Sequence, residues 1–225
     1  MLAAAGSGER LGAGGPKAFV PVAGRPMIDW SFEAFRACAA VRSIVVAVPP
    51  QYIGEVAGPD LVVVPGGATR AQSVSNALEA VGTAYVAIHD AARPLLTPEL
   101  VEALVATLDA SPDAAGAIAA APVTDTIKRG SFRTDSDRKE PRKVVETVDR
   151  AELWAAQTPQ VFRAEALREA LAAAENPEEA TDEAMLVEQA GGTVLVHAVA
   201  EPNLKVTTPL DLRVAELLLA DRARD

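Results

Sequence analysis

Short, uninterrupted apolar runs alternate with stretches of helical periodicity, and this alternation restricts the fold more than any other feature of the chain. The runs lie at 44–48 (Ile-Val-Val-Ala-Val, then Pro49 and Pro50), 61–64, 85–89, 117–121 and 194–199. A strand with one wet face alternates apolar and polar residues, whereas a strand covered on both faces reads as a continuous apolar run. Between the runs, Ile28, Phe32, Phe35 and Ala39 fall on one helical stripe, with Pro26 expected as the first helical residue. Val74, Leu78 and Val81 form a second stripe. Thr97 and Pro98 make a cap-and-first-turn signal ahead of Leu100, Val101, Leu104, Val105 and Leu108. Thr208 and Asp211 have the spacing of a capping box ahead of Leu212, Ala215 and Leu219. Such βα units predict a single α/β domain over 1–225, with a doubly wound, mostly parallel (mixed) sheet and its site at the carboxyl ends of the strands.

The first βα turn is rich in glycine. Ala3-Ala4-Ala5-Gly6-Ser7-Gly8-Glu9-Arg10-Leu11-Gly12 runs on to Gly15-Pro16-Lys17. Glycine lets main-chain N–H groups close on a phosphate without a Cβ in the way. Arg10 and Lys17 follow where a polyphosphate needs counter-charge. The dinucleotide fingerprint fails because Leu11 stands at its third glycine, and the P-loop fails because Ala18 follows Lys17 in place of a hydroxyl residue. An ordinary βα turn would use the same glycines; the Arg10/Lys17 pair shifts the balance to a nucleoside triphosphate cradle. Only residues 1–5 precede the turn, fewer than a buried strand ordinarily needs, so a trimmed or misassigned start is expected.

A net charge of −10 disfavours a general nucleic-acid partner or an anionic membrane surface, so cations inside the chain read as local site devices. Cys38 is the only cysteine, which excludes an internal disulfide and a cysteine-based zinc site and fits a reducing compartment. Its place in the first helical pattern suits a small core residue. No apolar run approaches the ~20 residues of a membrane span and no signal-peptide pattern opens the chain, so the cytoplasm is the expected location.

Residues 124–150 break the alternation. Two β-prone ends, 124–128 and 143–148, flank a stretch with little core material. From 128 to 143 seven Lys or Arg stand against three acids, a local charge of +4. The tip at 130–141 reads as a solvated hairpin end. The flanks read as arms able to reach a second subunit and carry residues into its site.

Further segments carry a specific resemblance. They are Gly66-Gly67-Ala68-Thr69-Arg70-Ala71-Gln72-Ser73-Val74; His89-Asp90-Ala91-Ala92-Arg93-Pro94; Ala121-Pro122-Val123-Thr124-Asp125-Thr126-Ile127-Lys128; Thr147-Val148-Asp149-Arg150 with Gln157-Thr158-Pro159-Gln160; and Thr181-Asp182-Glu183-Ala184 with Asn203-Leu204-Lys205-Val206-Thr207. With the glycine turn, and in this order, they resemble the methylerythritol-phosphate cytidylyltransferases of isoprenoid-precursor synthesis over almost the whole chain. The resemblance implies a Rossmann-like nucleotidyltransferase fold with a protruding β-arm, and a homodimer formed through the 124–150 arm. It implies transfer of a cytidylyl group from CTP to 2-C-methyl-D-erythritol 4-phosphate, with Mg²⁺ or another divalent cation. The residue inventory agrees independently. A phosphate monoester is already anionic, so no general base is needed, and the chain has two histidines and no Ser/His/Asp-like arrangement.

By this resemblance Arg10 and Lys17 grip the triphosphate and stabilise charge at the α-phosphorus, and they count as catalytic together with Arg150 and Lys205. Main-chain groups of Ala4, Ala5 and Gly6, with Gly67 and Ala68, read the cytosine, and Ser73 offers a hydroxyl; Gly8 and Arg70 belong to the same CTP-binding set. Ser73 would equally suit a helix first turn. Ala68 stands where many relatives carry an acid, a silent change if only the main chain meets the base. Asp90, ending a buried strand, suits Mg²⁺ on triphosphate oxygens. His89 reads as packing or bonding locally. Arg93 either fixes Asp90 and its loop or binds the acceptor. Lys205 holds the acceptor phosphate in its own site, while Thr126 and Arg150 reach the site of the partner. Thr181 joins the acceptor set or is a helix N-cap.

A ribitol- or other polyol-phosphate cytidylyltransferase shares much of this motif set, and the Thr126/Arg150/Lys205 set favours methylerythritol phosphate. A sugar-1-phosphate nucleotidylyltransferase leaves 89–94 and 147–150 unexplained. A non-catalytic nucleotide-binding regulator leaves Arg10, Lys17, Asp90 and Lys205 without a purpose.

Overall fold

The computed structural model describes residues 1–6, 15–131 and 143–224. Its first half runs through β1 (Leu2–Ala3), a small ladder of β2 (Pro21–Val22) and β3 (Arg25–Pro26), α1 (Met27–Ala37), β4 (Ile44–Val48), β5 (Leu61–Pro65), α2 (Arg70–Leu78), β6 (Tyr85–Asp90), α3 (Pro98–Asp109) and β7 (Gly116–Pro122). The second half holds β8 (Ile127–Gly130), β9 (Val144–Val148), β10 (Trp154–Arg163), α4 (Ala164–Ala173), α5 (Glu183–Gln189), β11 (Val194–Ala198) and α6 (Pro209–Arg222). One seven-stranded sheet has the order β11-β7-β10-β6-β1-β4-β5. Every pairing in it is parallel except those of β10 with β6 and β7. This is the expected mostly parallel, mixed α/β sheet.

Side-chain alternation on the strands divides the core into two faces. On β4, Val45 and Ala47 pack with Val74 and Leu78 of α2, Leu167 of α4 and Leu186 of α5. Ile44, Val46 and Val48 pack on the opposite face with Ile28, Phe32 and Phe35 of α1 and Val101 of α3. All five β4 residues are buried, which is why the run carries no polar residue. Each of the Ile and Val side chains contributes about 1.5–3 kcal/mol of burial free energy. α6 covers the β2/β3 ladder through Ala215 and Leu219 against Val20, Val22 and Met27.

The helix caps expected at Thr97 and Thr208 are present: Thr97 accepts Leu100 N–H, and Thr208 and Asp211 form the reciprocal capping box. At α1 the structure differs. Pro26 pairs with Pro21 in the β2/β3 ladder, so the helix starts at Met27, and it stops at Ala37 ahead of Ala39. Cys38 lies just past the helix end and is nonetheless buried. Strand β10 had no counterpart among the expected apolar runs.

β8 and β9 pair only with each other, as a ribbon apart from the main sheet. Val144 and Val145, at 54% and 59% exposure, are bare on it. The solvated tip expected at 130–141 lies outside the described residues apart from Gly130 and Ser131. Among the described residues, no helix is long and apolar enough to cross a membrane.

Candidate active site

β1 lies between β4 and β6, so the chain leaves it first toward one side of the sheet and later returns on the other. Strand ends diverge at such a reversal and open a crevice. Here the crevice is a cavity of about 500 Å³, walled by Ala3–Gly6 at the end of β1, by Gly67, Ala68 and Thr69 between β5 and α2, and by Asp90, Ala91 and Ala92 at the end of β6. Gly66 lets two of these walls meet: a Cβ there would stand 2.4 Å from Ala5 Cβ, and its N–H donates to Val48 O at 2.7 Å.

Charge is concentrated at one end. Lys205 Nζ donates to Asp90 Oδ2 at 2.6 Å, and Arg70 reaches Asp90 Oδ1 at 3.4 Å through Nε and Nη2. Arg70 Nη1 meets both Glu183 oxygens, at 2.5 and 2.6 Å. Glu183, Arg70, Asp90 and Lys205 thus form a row of alternating charge. Burial pushes the Asp90 carboxyl upward, but the Arg70 and Lys205 charges outweigh it and hold the pKa at about 2. Glu183 is only 1% exposed, and burial lifts its carboxyl above the usual range against the pull of Arg70.

Beneath Asp90 and Lys205 lies a ring of hydrogen bonds. The carbonyl of Arg93 can only accept, so His89 Nε2 carries the proton in their 3.1 Å contact. His89 Nδ1 then accepts from the Thr158 hydroxyl at 3.1 Å, and Thr158 Oγ1 accepts Asp90 N–H at 3.0 Å. Asn203 Nδ2 donates to Thr158 O at 2.8 Å, and Arg93 Nη1 closes the ring on Asn203 O at 2.6 Å. Burial holds the His89 pKa down at about 4. The unfolded chain therefore binds the proton first as pH falls. Stability from this group is complete above about 6.5 and is lost as pH drops toward about 4. Urea midpoints across that range should fall with pH, and His89→Gln should flatten the slope; a slope the variant keeps would remove His89 as its source.

Among the described residues no group of three or more His, Cys, Asp or Glu side chains could cage a metal. Asp90 is the one acid among the described residues of the cavity wall. A single ionised carboxylate suits Mg²⁺ that arrives on phosphate oxygens and keeps its waters.

Comparison with known proteins decides the family. A sequence model of the 2-C-methyl-D-erythritol 4-phosphate cytidylyltransferase family matches residues 1–221. The chain belongs to this family. A cytidylyltransferase of that name from Synechococcus sp. strain CC9902 is 41% identical over 232 residues, covering 99% of this chain and 97% of the relative. One from Frankia casuarinae is 44% identical over 226 residues, covering 98% and 80%. The crystal structure of the enzyme from Thermus thermophilus superposes with a TM-score of 0.75 at 34% identity, covering 97% of both chains.

Of the residues the family resemblance singled out, Ala4, Ala5, Gly6, Lys17, Gly67, Ala68, Arg70, Ser73, Asp90 and Lys205 line this one cavity. Gly8 and Arg10 lie outside the described residues. Four others stand apart from the cavity wall. Arg93 is buried on the Asn203 carbonyl, in the loop-fixing position. Thr126 and Arg150 are exposed on the arm, where Arg150 donates to the main chain of Thr124. Thr181 is not the α5 cap: Asp182 accepts Met185 N–H at 3.0 Å, leaving the Thr181 hydroxyl against Met185 Sδ. His89 bonds locally, as its sequence context suggested. Glu183 and Asn203 are the residues whose importance motif reading missed.

Proposed function

We propose that the protein transfers the cytidylyl group of CTP to 2-C-methyl-D-erythritol 4-phosphate, giving 4-diphosphocytidyl-2-C-methyl-D-erythritol and pyrophosphate on the way to isoprenoid precursors. The observation that carries this is a single cavity with two chemically distinct ends. Main-chain turns at Ala4–Gly6 and Gly67–Ala68 suit a neutral base, and Arg70 and Lys205 on Asp90, with Lys17 on the same wall, suit a polyanion.

An oxygen of the acceptor phosphate attacks the α-phosphorus, the bridge to the β-phosphate breaks, and pyrophosphate leaves with the electron pair. The attacking oxygen is already anionic, so the chain's work is alignment and charge stabilisation. Lys17 meets the charge that builds on the α-phosphoryl oxygens, with Arg10 as its partner. Lys205, oriented by ionised Asp90, holds the acceptor phosphate in line. Asp90 with the triphosphate oxygens would hold Mg²⁺, whose chemistry there is neutralisation of the leaving pyrophosphate. Thr126 and Arg150, carried on the exposed arm, complete the acceptor site of the partner subunit in a homodimer; the cytoplasm as compartment belongs to the same proposal.

Pyrophosphate release from CTP and Mg²⁺, compared between methylerythritol phosphate and ribitol phosphate, tests the assignment. Release with methylerythritol phosphate and little with ribitol phosphate is expected. Release with ribitol phosphate alone would select the polyol-phosphate enzyme, and none with either would end the cytidylyltransferase assignment.

A further inference from the structure

Lys17 reaches the cavity from a single 3₁₀ turn, Lys17–Phe19. One isolated turn fixes several dihedrals for few hydrogen bonds, so its position is set by what packs on it. Beneath it, Ala18 is buried in the core. Above it stands Tyr52, which arrives from the carboxyl end of β4. There Pro49 and Pro50 set the direction of the chain, and Tyr52 N–H donates to Pro49 O at 2.8 Å. The Tyr52 ring stacks on Phe19, with centroids 4.9 Å apart and planes inclined by 19°. Its hydroxyl lies against Gly15, where an added Cβ would stand 3.4 Å from it. One side chain therefore touches the main-chain segment on both sides of Lys17. Tyr52 itself stands outside the cavity wall.

We propose that Tyr52 is a positioning residue for catalysis, which clamps residues 15–19 on both sides of Lys17 and so holds the Lys17 ammonium where charge builds on the α-phosphoryl oxygens. The proposal rests on the role assigned to Lys17 in cytidylyl transfer. Lysine is a point charge on a flexible stem, so its reach is set by the main chain that carries it. A misplacement of about 1 Å in such a group can cost on the order of a hundredfold in rate. Tyr52 meets the segment with a ring face and a neutral hydroxyl, so it constrains the chain without competing with Lys17 for the triphosphate.

The test is a double-mutant cycle between Tyr52→Ala and Lys17→Ala, read as kcat with saturating CTP, Mg²⁺ and methylerythritol phosphate. Alone, Tyr52→Ala is expected to lower kcat by about tenfold while KM for CTP moves less than about threefold. In the Lys17→Ala background the same substitution should cost less than about twofold, because the group it positions is gone. Tyr52→Phe keeps the stack on Phe19 and should keep at least about half of the wild-type kcat, and Phe19→Ala should act like Tyr52→Ala. Should Tyr52→Ala not fold, Tyr52→Leu keeps apolar bulk without the stack and carries the same expectation. A lowered urea midpoint with kcat unaltered would overturn the proposal, since Tyr52 would then serve packing alone. So would a tenfold loss that persists in the Lys17→Ala background, the mark of a general loosening. An unaltered kcat in Lys17→Ala itself would instead overturn the role of Lys17, and this proposal with it.

Discussion

Lys17→Ala is expected to lower turnover by about a hundred- to a thousandfold while the KM for CTP moves less than about fivefold. The asymmetry follows from where the charge appears. Ground-state CTP already carries its triphosphate charge, which several cations of the cavity wall can share, so one lysine adds little to its binding. The extra charge on the α-phosphoryl oxygens exists only near the transition state, and a cation held there acts on kcat. The backbone around Lys17 is built to hold it. Its N–H donates to Gly6 O at 3.3 Å, tying it to the glycine turn, and the next residue, Ala18, is buried among Ile28, Phe32 and Val48. Lys17→Arg keeps the charge with a different donor geometry and should recover part of the rate. Single-turnover kinetics checks that the lost rate is chemistry; turnover unchanged in Lys17→Ala would remove the assigned role.

The second large effect is on stability. Glu183→Leu should destabilise the fold by about 3 kcal/mol, toward the lower end for a broken buried ion pair because Arg70 keeps some contact with water. Glu183 is 1% exposed and takes Arg70 with both oxygens, while the Arg70 side chain is 32% exposed. Removing the carboxylate leaves a partly buried guanidinium facing only Asp90, at 3.4 Å. Glu183→Gln retains one acceptor for Arg70 and should recover roughly half of the loss. Urea unfolding with an unchanged m-value measures the difference. A shift of under about 1 kcal/mol in Glu183→Leu would mean that water already carries Arg70, and that the row of alternating charges is not a structural brace.

What could be read from the sequence and what could not divide along physical lines. Central parallel strands announce themselves because burial on both faces removes polar residues, and β4 is the clearest case. β10 hides for the opposite reason. It carries Pro159 in mid-strand, which argues against a central position, yet Pro159 sits where the pairing with β7 shifts register between Ala156 and Gln160. Cap identity at α5 failed because Thr181 and Asp182 are both good caps, and the backbone selects between them. At the site, the order of the motifs and their likeness to one family located the cavity-lining residues, whereas the glycines alone would suit any βα turn. Glu183 gave no such signal: an acid in a helix first turn reads as a dipole complement. Only the fold reveals that it is buried and gripping Arg70. Asn203 was equally silent, because a ring closed by main-chain carbonyls leaves no pattern in side-chain spacing.

The central place of β10 bears on the order in which the molecule can be built during synthesis. Until residue 163 has emerged from the ribosome, β6 and β7 have no strand between them, although both were made long before. The amino-terminal strands β5, β4, β1 and β6 can assemble as one parallel leaf, with β7 left waiting. The last-made central strand then joins the leaves, and Thr158 on it supplies the hydroxyl that receives Asp90 N–H. A nascent chain therefore joins its two leaves only once β10 is made, and it completes the sheet and the ring beneath its active site later still, with β11 and Asn203.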